Sequence, residues 1–183
     1  MAIQKFLESA FLEEMKKLTI SYMQNSIQNG EETERIFQQT FENKGFDVIK
    51  SNKFVDIYEH WDFFIMNHNK SFRVDVKCEK KSNLRRENLV WIEIKNVKGY
   101  DGWLYGGKTE LIAFETEKYF LLFNRQQMQE FVERNIQRVW VKDKRDALFK
   151  LYSREGRKDE LTLVDFKKMC RECRVWEVKK YGL

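Results

Sequence analysis

Proline is absent from the 183 residues, glycine occurs 8 times, cysteine 3 times and histidine twice. Without proline there is no proline-rich linker and no cis-proline turn. Three cysteines is an odd number, and no export signal accompanies them, so a reduced, cytoplasmic setting is expected rather than a disulfide scaffold. No apolar run approaches the roughly 18–20 residues that a membrane span needs. Lys5, Glu8, Glu13 and Glu14 break the opening segment, which is therefore no signal peptide. The chain also lacks Gly-x-Gly-x-x-Gly and a nucleophile elbow, which sets aside NAD-dependent and serine-hydrolase chemistry.

What remains is 42% hydrophobic, 34% charged and 15% aromatic, a composition that builds a core and excludes a disordered chain. The length suits one compact domain. Lys and Arg number 34 against 29 Asp and Glu, for a net +5. That excess is polarised: residues 1–69 carry −4, residues 70–108 carry +5 and residues 109–183 carry +4. A positive segment of this kind suits an anionic partner.

Apolar residues Phe6, Leu7, Ala10, Phe11, Met15 and Leu18 recur at helical spacing, predicting an amphipathic helix over residues 3–28 that stops at Asn29-Gly30. A second helix is expected over residues 31–43, with Ile36, Phe37, Thr40 and Phe41 inward. Strand-like runs follow at 61–66, 71–77, 89–97, 110–115 and 118–123, then a helix at 125–135. The tail reads as a hairpin, 148–154 with 159–164, a short helix at 165–173 and a strand at 175–179. Helix, then antiparallel meander, then mixed structure predicts an α+β domain.

Asn67-His68-Asn69-Lys70 is a polar turn between two apolar runs, hence a β-hairpin. Centred between His68 and Asn69, it sets Asp62 opposite Asp75, with Lys77 on the same face. Two opposed carboxylates resist joint ionisation, and a hard divalent cation resolves the conflict. A neighbouring lysine then orients or deprotonates water, or offsets charge on a phosphate. The other reading of such a triplet is an exposed strand face.

Asp62 followed by Asp75-Val-Lys77 resembles the signature of the PD-(D/E)XK nucleases, the restriction-endonuclease-like superfamily. Glu34-Arg-Ile-Phe-Gln-Gln-Thr-Phe-Glu-Asn-Lys-Gly45-Phe46 resembles the leading helix of the Holliday-junction-resolvase and Mrr-like branches, where a glutamate supplies a further metal ligand. The likeness covers about residues 31–123, and Trp61 replaces the usual proline before the first aspartate. It implies a restriction-endonuclease-like core over 31–183, a mixed sheet with an antiparallel meander flanked by helices. Residues 1–30 would cap the core or form a contact in a homodimer. It also implies a Mg²⁺- or Mn²⁺-dependent DNA endonuclease, with Glu34, Asp62 and Asp75 on the metal and Lys77 acting on the attacking water. The alternatives are a nucleic-acid-binding protein of the same fold without catalysis, and a structure-specific or RNA-directed nuclease.

Glu93-Ile-Lys95 is a second acid-x-Lys triplet that could replace the first by pairing with Asp75. The segment Lys98–Lys108 joins four glycines, three aromatics and two lysines, which suits a substrate-positioning loop or an ordinary loop pinned by Trp103 and Tyr105. Arg154, Arg157 and Lys158 crowd the tail hairpin turn, either against a phosphate backbone or in solvent. Lys95, Lys98, Lys108, Arg154, Arg157 and Lys158 are thus the candidate nucleic-acid contacts. Cys170-x-x-Cys173 lacks a convincing second pair of zinc ligands in Cys78, His60 and His68.

Overall fold

The computed structural model describes residues 28–68, 70–78 and 88–182. The N-terminal amphipathic helix expected from residue 3 lies, up to residue 27, outside the described residues. Helix α1 is described over residues 28–42. It runs through Asn29 and Gly30, so the stop expected there does not occur. Gly30 has no atom within 4 Å of where a Cβ would stand, so nothing there forces the chain to turn. Phe37, Thr40 and Phe41 are fully buried, as the helical spacing required.

The chain then forms β1 (Asp47–Lys50), α2 (Lys53–Glu59), β2 (Phe63–Asn67), β3 (Lys70–Lys77), β4 (Leu89–Lys95), β5 (Leu111–Glu115) and β6 (Tyr119–Asn124). After them come α3 (Arg125–Asn135), β7 (Gln137–Val141), a 3-10 turn (Lys144–Asp146), β8 (Lys150–Tyr152), β9 (Glu160–Asp165), α4 (Phe166–Glu172) and β10 (Val175–Lys179). Two mixed sheets result, in strand orders β1-β2-β3-β5-β6-β10 and β4-β9-β8-β7. The class is α+β. Among the described residues no helix is long and apolar enough to cross a membrane.

Successive strand residues serve opposite faces of the six-stranded sheet. Phe63, Ile65, Val74, Ala113, Phe120, Leu122 and Val178 pack with Phe37 and Phe41 of α1. Ile112, Phe114 and Phe123 face the other way, onto Ile92 of β4, Val164 of β9 and Met128, Phe131 and Met169 of the last two helices. Odd-numbered Asp75 and Lys77 alternate with Val74 and Val76, and therefore stand on this second face.

The expected antiparallel meander is corrected at one point. β3 and β5 pair in parallel, Asp75 with Ile112 and Lys77 with Phe114. A parallel pair needs a long crossover. Here β4 leaves to pair with β9, and residues 96–110 bring the chain back. Helix α2 and strand β7 are absent from the sequence expectation, and the tail hairpin forms with Tyr152 opposite Leu161.

The tail turn is built on a buried acid. Asp159, 1% exposed, accepts hydrogen bonds from the Ser153 hydroxyl (3.0 Å), the Arg154 N–H (3.0 Å) and the Arg154 guanidinium. Burial alone would raise its pKa, but the bonds from Arg154 and Ser153 win and lower it. A lowered carboxylate stabilises the fold above its unfolded pKa, and that contribution is lost as pH falls through the folded value. Asp159→Asn is therefore expected to cost about 1–3 kcal/mol at pH 7. In urea unfolding the deficit should shrink below about pH 4; an equal deficit at both pH values would contradict the reading.

Candidate active site

The hairpin between β2 and β3 has the register expected from its turn: Phe63 opposes Val74, Ile65 opposes Phe72 and Asn67 opposes Lys70. His68 adopts φ 44°, the left-handed conformation that two-residue hairpin turns use. The ladder ends at Phe63 and Val74, and Asp62 is the residue just before it, on the side of Asp75. Asp62 sits where β2 begins, its N–H donating to the Val74 carbonyl (2.9 Å) and its Oδ2 accepting from the Val76 N–H (2.7 Å). Burial, then the Asp75 charge, push the Asp62 pKa far above the usual carboxylate range, against the Val76 hydrogen bond.

Asp75 is 5% exposed. Its Oδ1 accepts from Lys77 Nζ at 2.7 Å, while its buried Oδ2 has no hydrogen-bond partner among the described residues. An unsatisfied buried polar atom costs about 1–3 kcal/mol, and more when charged. Lys77 is held between that carboxylate and the Trp103 ring, 5.1 Å from its centroid. Burial pulls the Lys77 pKa down, but Asp75, Asp62 and Glu93 together turn the net shift upward.

Three further carboxylates reach this pair. Glu34 of α1 contacts Lys50 Nζ at 2.9 Å, and its charge still raises the pKa of Asp62 and of Asp56. Asp56 on α2 has its pKa raised by burial first, then by Asp75 and Glu34. Glu93 on β4 is raised by burial and lowered by Lys77 and the Trp103 N–H. The sequence reading missed Asp56 because nothing about α2 marked it as a helix. Of the competing triplet, Glu93 acts on Lys77, while Lys95 pairs with Glu160 at 2.6 Å on a strand of the other sheet.

The 98–108 loop is pinned, with Trp103 and Tyr105 packed against the core. Arg125 donates to the carbonyls of Thr109 (2.6 Å), Gly106 (2.9 Å) and Leu104 (3.3 Å), and Gln129 donates to Leu104 (2.7 Å). Gly107, at φ +73°, lies so close to α2 that a Cβ would stand 2.2 Å from the Glu59 carbonyl oxygen. Gly107→Ala is expected to displace the loop from α2 and cost at least about 1–3 kcal/mol; unchanged urea stability would contradict this close approach.

The candidate nucleic-acid contacts divide. Lys95 pairs with Glu160, Lys108 with Glu59 (2.7 Å) and Arg154 with Asp159. Those three have internal partners, with side chains still 43%, 63% and 41% exposed. Lys98, Arg157 and Lys158 remain exposed. Lys98 and Lys158 come from loops that touch, the Lys158 N–H donating to the Val97 carbonyl (3.3 Å). Cys173 is buried and Cys170 half-buried, and burial raises the pKa of both thiols, away from reactivity.

Among the described residues no three His, Cys, Asp or Glu side chains converge into a ready-made metal cage. A two-carboxylate site is nonetheless the donor set of a hard cation that keeps most of its waters, and the bare Asp75 Oδ2 fits such a group. Neither family models, nor curated proteins, nor solved structures give a match to this chain. The reading below therefore rests on geometry and on the motif.

Proposed function

We propose that this chain is a divalent-metal-dependent DNA endonuclease with a restriction-endonuclease-like core, working in a reducing, intracellular compartment. One observation carries the proposal: a buried aspartate, Asp75, with one oxygen on Lys77 and the other bare, and the Asp62 carboxylate bonded to the N–H of the next residue, Val76. A structural ion pair has no use for that second carboxylate or for the empty oxygen.

Asp62 and Asp75 would hold Mg²⁺ or Mn²⁺, with Glu34 assisting once released from Lys50. A cation held by these residues would supply charge to polarise the phosphate and to make a bound water more acidic. Lys77, steered by Asp75 and Trp103, positions the attacking water and offsets charge on the phosphate oxygens. Lys98, Arg157 and Lys158 supply phosphate contacts away from the reacting bond. One site cuts one strand, so double-strand cleavage takes two copies or two encounters.

Supercoiled plasmid incubated with Mg²⁺, Mn²⁺ or EDTA tests this. Nicking is expected with either cation and absent in EDTA. Binding of DNA with no nicking in any cation would instead favour a non-catalytic binding protein.

A further inference from the structure

Helix α2 is held in place by its ends. The Asn52 side chain accepts from the Val55 N–H (3.0 Å) at one end. At the other, the Glu59 carbonyl accepts from the Lys108 N–H (2.8 Å), its carboxylate accepts from Trp61 Nε1 (2.9 Å), and the Thr109 hydroxyl donates to the His60 carbonyl. None of the helix's own residues is buried. The hydrophobic effect ordinarily holds a short helix by an apolar face against the core. Here the apolar face points outward: Phe54 is 68% exposed, Tyr58 66% and Ile57 52%.

The 3.6-residue period sets Phe54, Ile57 and Tyr58 on one side and Asp56 on the other. The end of α2 lies three residues before Asp62 and is bonded to Lys108, and the Ser51 N–H just ahead of the helix donates to the Asp62 carbonyl (2.7 Å), so α2 borders the carboxylate site. The Phe54 and Tyr58 rings lie 4.5 Å apart, tilted by 38°, and form one joint aromatic surface. Exposed Lys53 begins the same helix. An α-helix is about 10 Å thick, the rise of roughly three stacked nucleotides.

Resting on the nuclease reading above, we propose that Phe54 and Tyr58 form a nucleobase-stacking platform for unpaired nucleotides a few positions from the bond that is cut. The substrate class is then DNA with a single-stranded segment beside the scissile phosphate. Stacking on exposed aromatics accepts any base, because every base has a π-face. Paired bases are stacked inside the duplex and cannot reach the rings. Lys53 meets the backbone of the same strand.

The test is binding in EDTA, where no cleavage intervenes, of a labelled oligo(dT) strand and of a blunt duplex of equal length. Wild type should hold the single strand more tightly than the duplex. Phe54→Ala/Tyr58→Ala should weaken single-strand binding by about ten- to a hundredfold and leave duplex binding unchanged, while Tyr58→Phe should bind like wild type. Equal loss on both substrates, or no loss on either, overturns the proposal. So does a fall in thermal stability or a change in sedimentation with binding unaltered, which would assign the face to residues 1–27 or to a second copy. Single-strand stacking without nicking in any cation would sink the nuclease reading alone. Plasmid nicking with an indifferent double variant would sink the platform alone.

Discussion

Asp75→Ala is expected to lower phosphodiester cleavage by about three orders of magnitude or more, since losing a metal-centred interaction costs several kcal/mol of barrier and each 1.36 kcal/mol is tenfold. The substitution removes the bare oxygen, the Lys77 partner and half of the carboxylate pair at once. Calorimetric titration should show Mn²⁺ binding to wild type and none to the variant. DNA affinity in EDTA should stay within a few-fold, because Lys98, Arg157 and Lys158 are untouched. Should the variant still bind Mn²⁺ and cleave, Asp75 is only the partner of a structural lysine.

Lys77→Ala is the second large effect. Its ammonium is steered by Asp75 at 2.7 Å and by the Trp103 ring, so in the proposed site it would face the reacting phosphate and no distant part of the substrate. Cleavage should fall about 10²–10³-fold, the loss seen when one positioned charge or donor is removed from a transition state. Mn²⁺ binding should survive, because Asp62 and Asp75 both remain. Filter binding of DNA in EDTA should match wild type. Equal loss of binding and cleavage would make Lys77 a phosphate anchor instead.

Much of the site was legible in the sequence because a hairpin has one register. A polar turn flanked by two apolar runs, read with the strand period of 2, predicts the register that pairs Phe63 with Val74, and Asp62 lies one residue beyond that ladder. Helix α2 was not legible, since its apolar residues face solvent and its anchors, Lys108 and Thr109, lie 49 residues from Glu59 and His60. The parallel pairing of β3 with β5 was hidden for a related reason. Nothing local says that β4 prefers β9, some 70 residues on, to its neighbour in sequence.

Charge was the least legible property. Lys95 and Lys108 look like free cations in a basic segment, yet Glu160 and Glu59, 65 and 49 residues away, pair with them. Of the six candidate contacts, Lys98 and Lys158 lie on touching loops, with Arg157 in the same turn as Lys158.

The central claim, that the Asp62–Asp75 pair holds a cation for phosphodiester hydrolysis, is tested most directly by plasmid nicking with wild type and Asp75→Ala side by side in Mg²⁺. The account predicts nicked circles from wild type, none once EDTA is added, and none from the variant at equal protein. Identical nicking by both proteins, or none by either in Mg²⁺ or Mn²⁺, would contradict it.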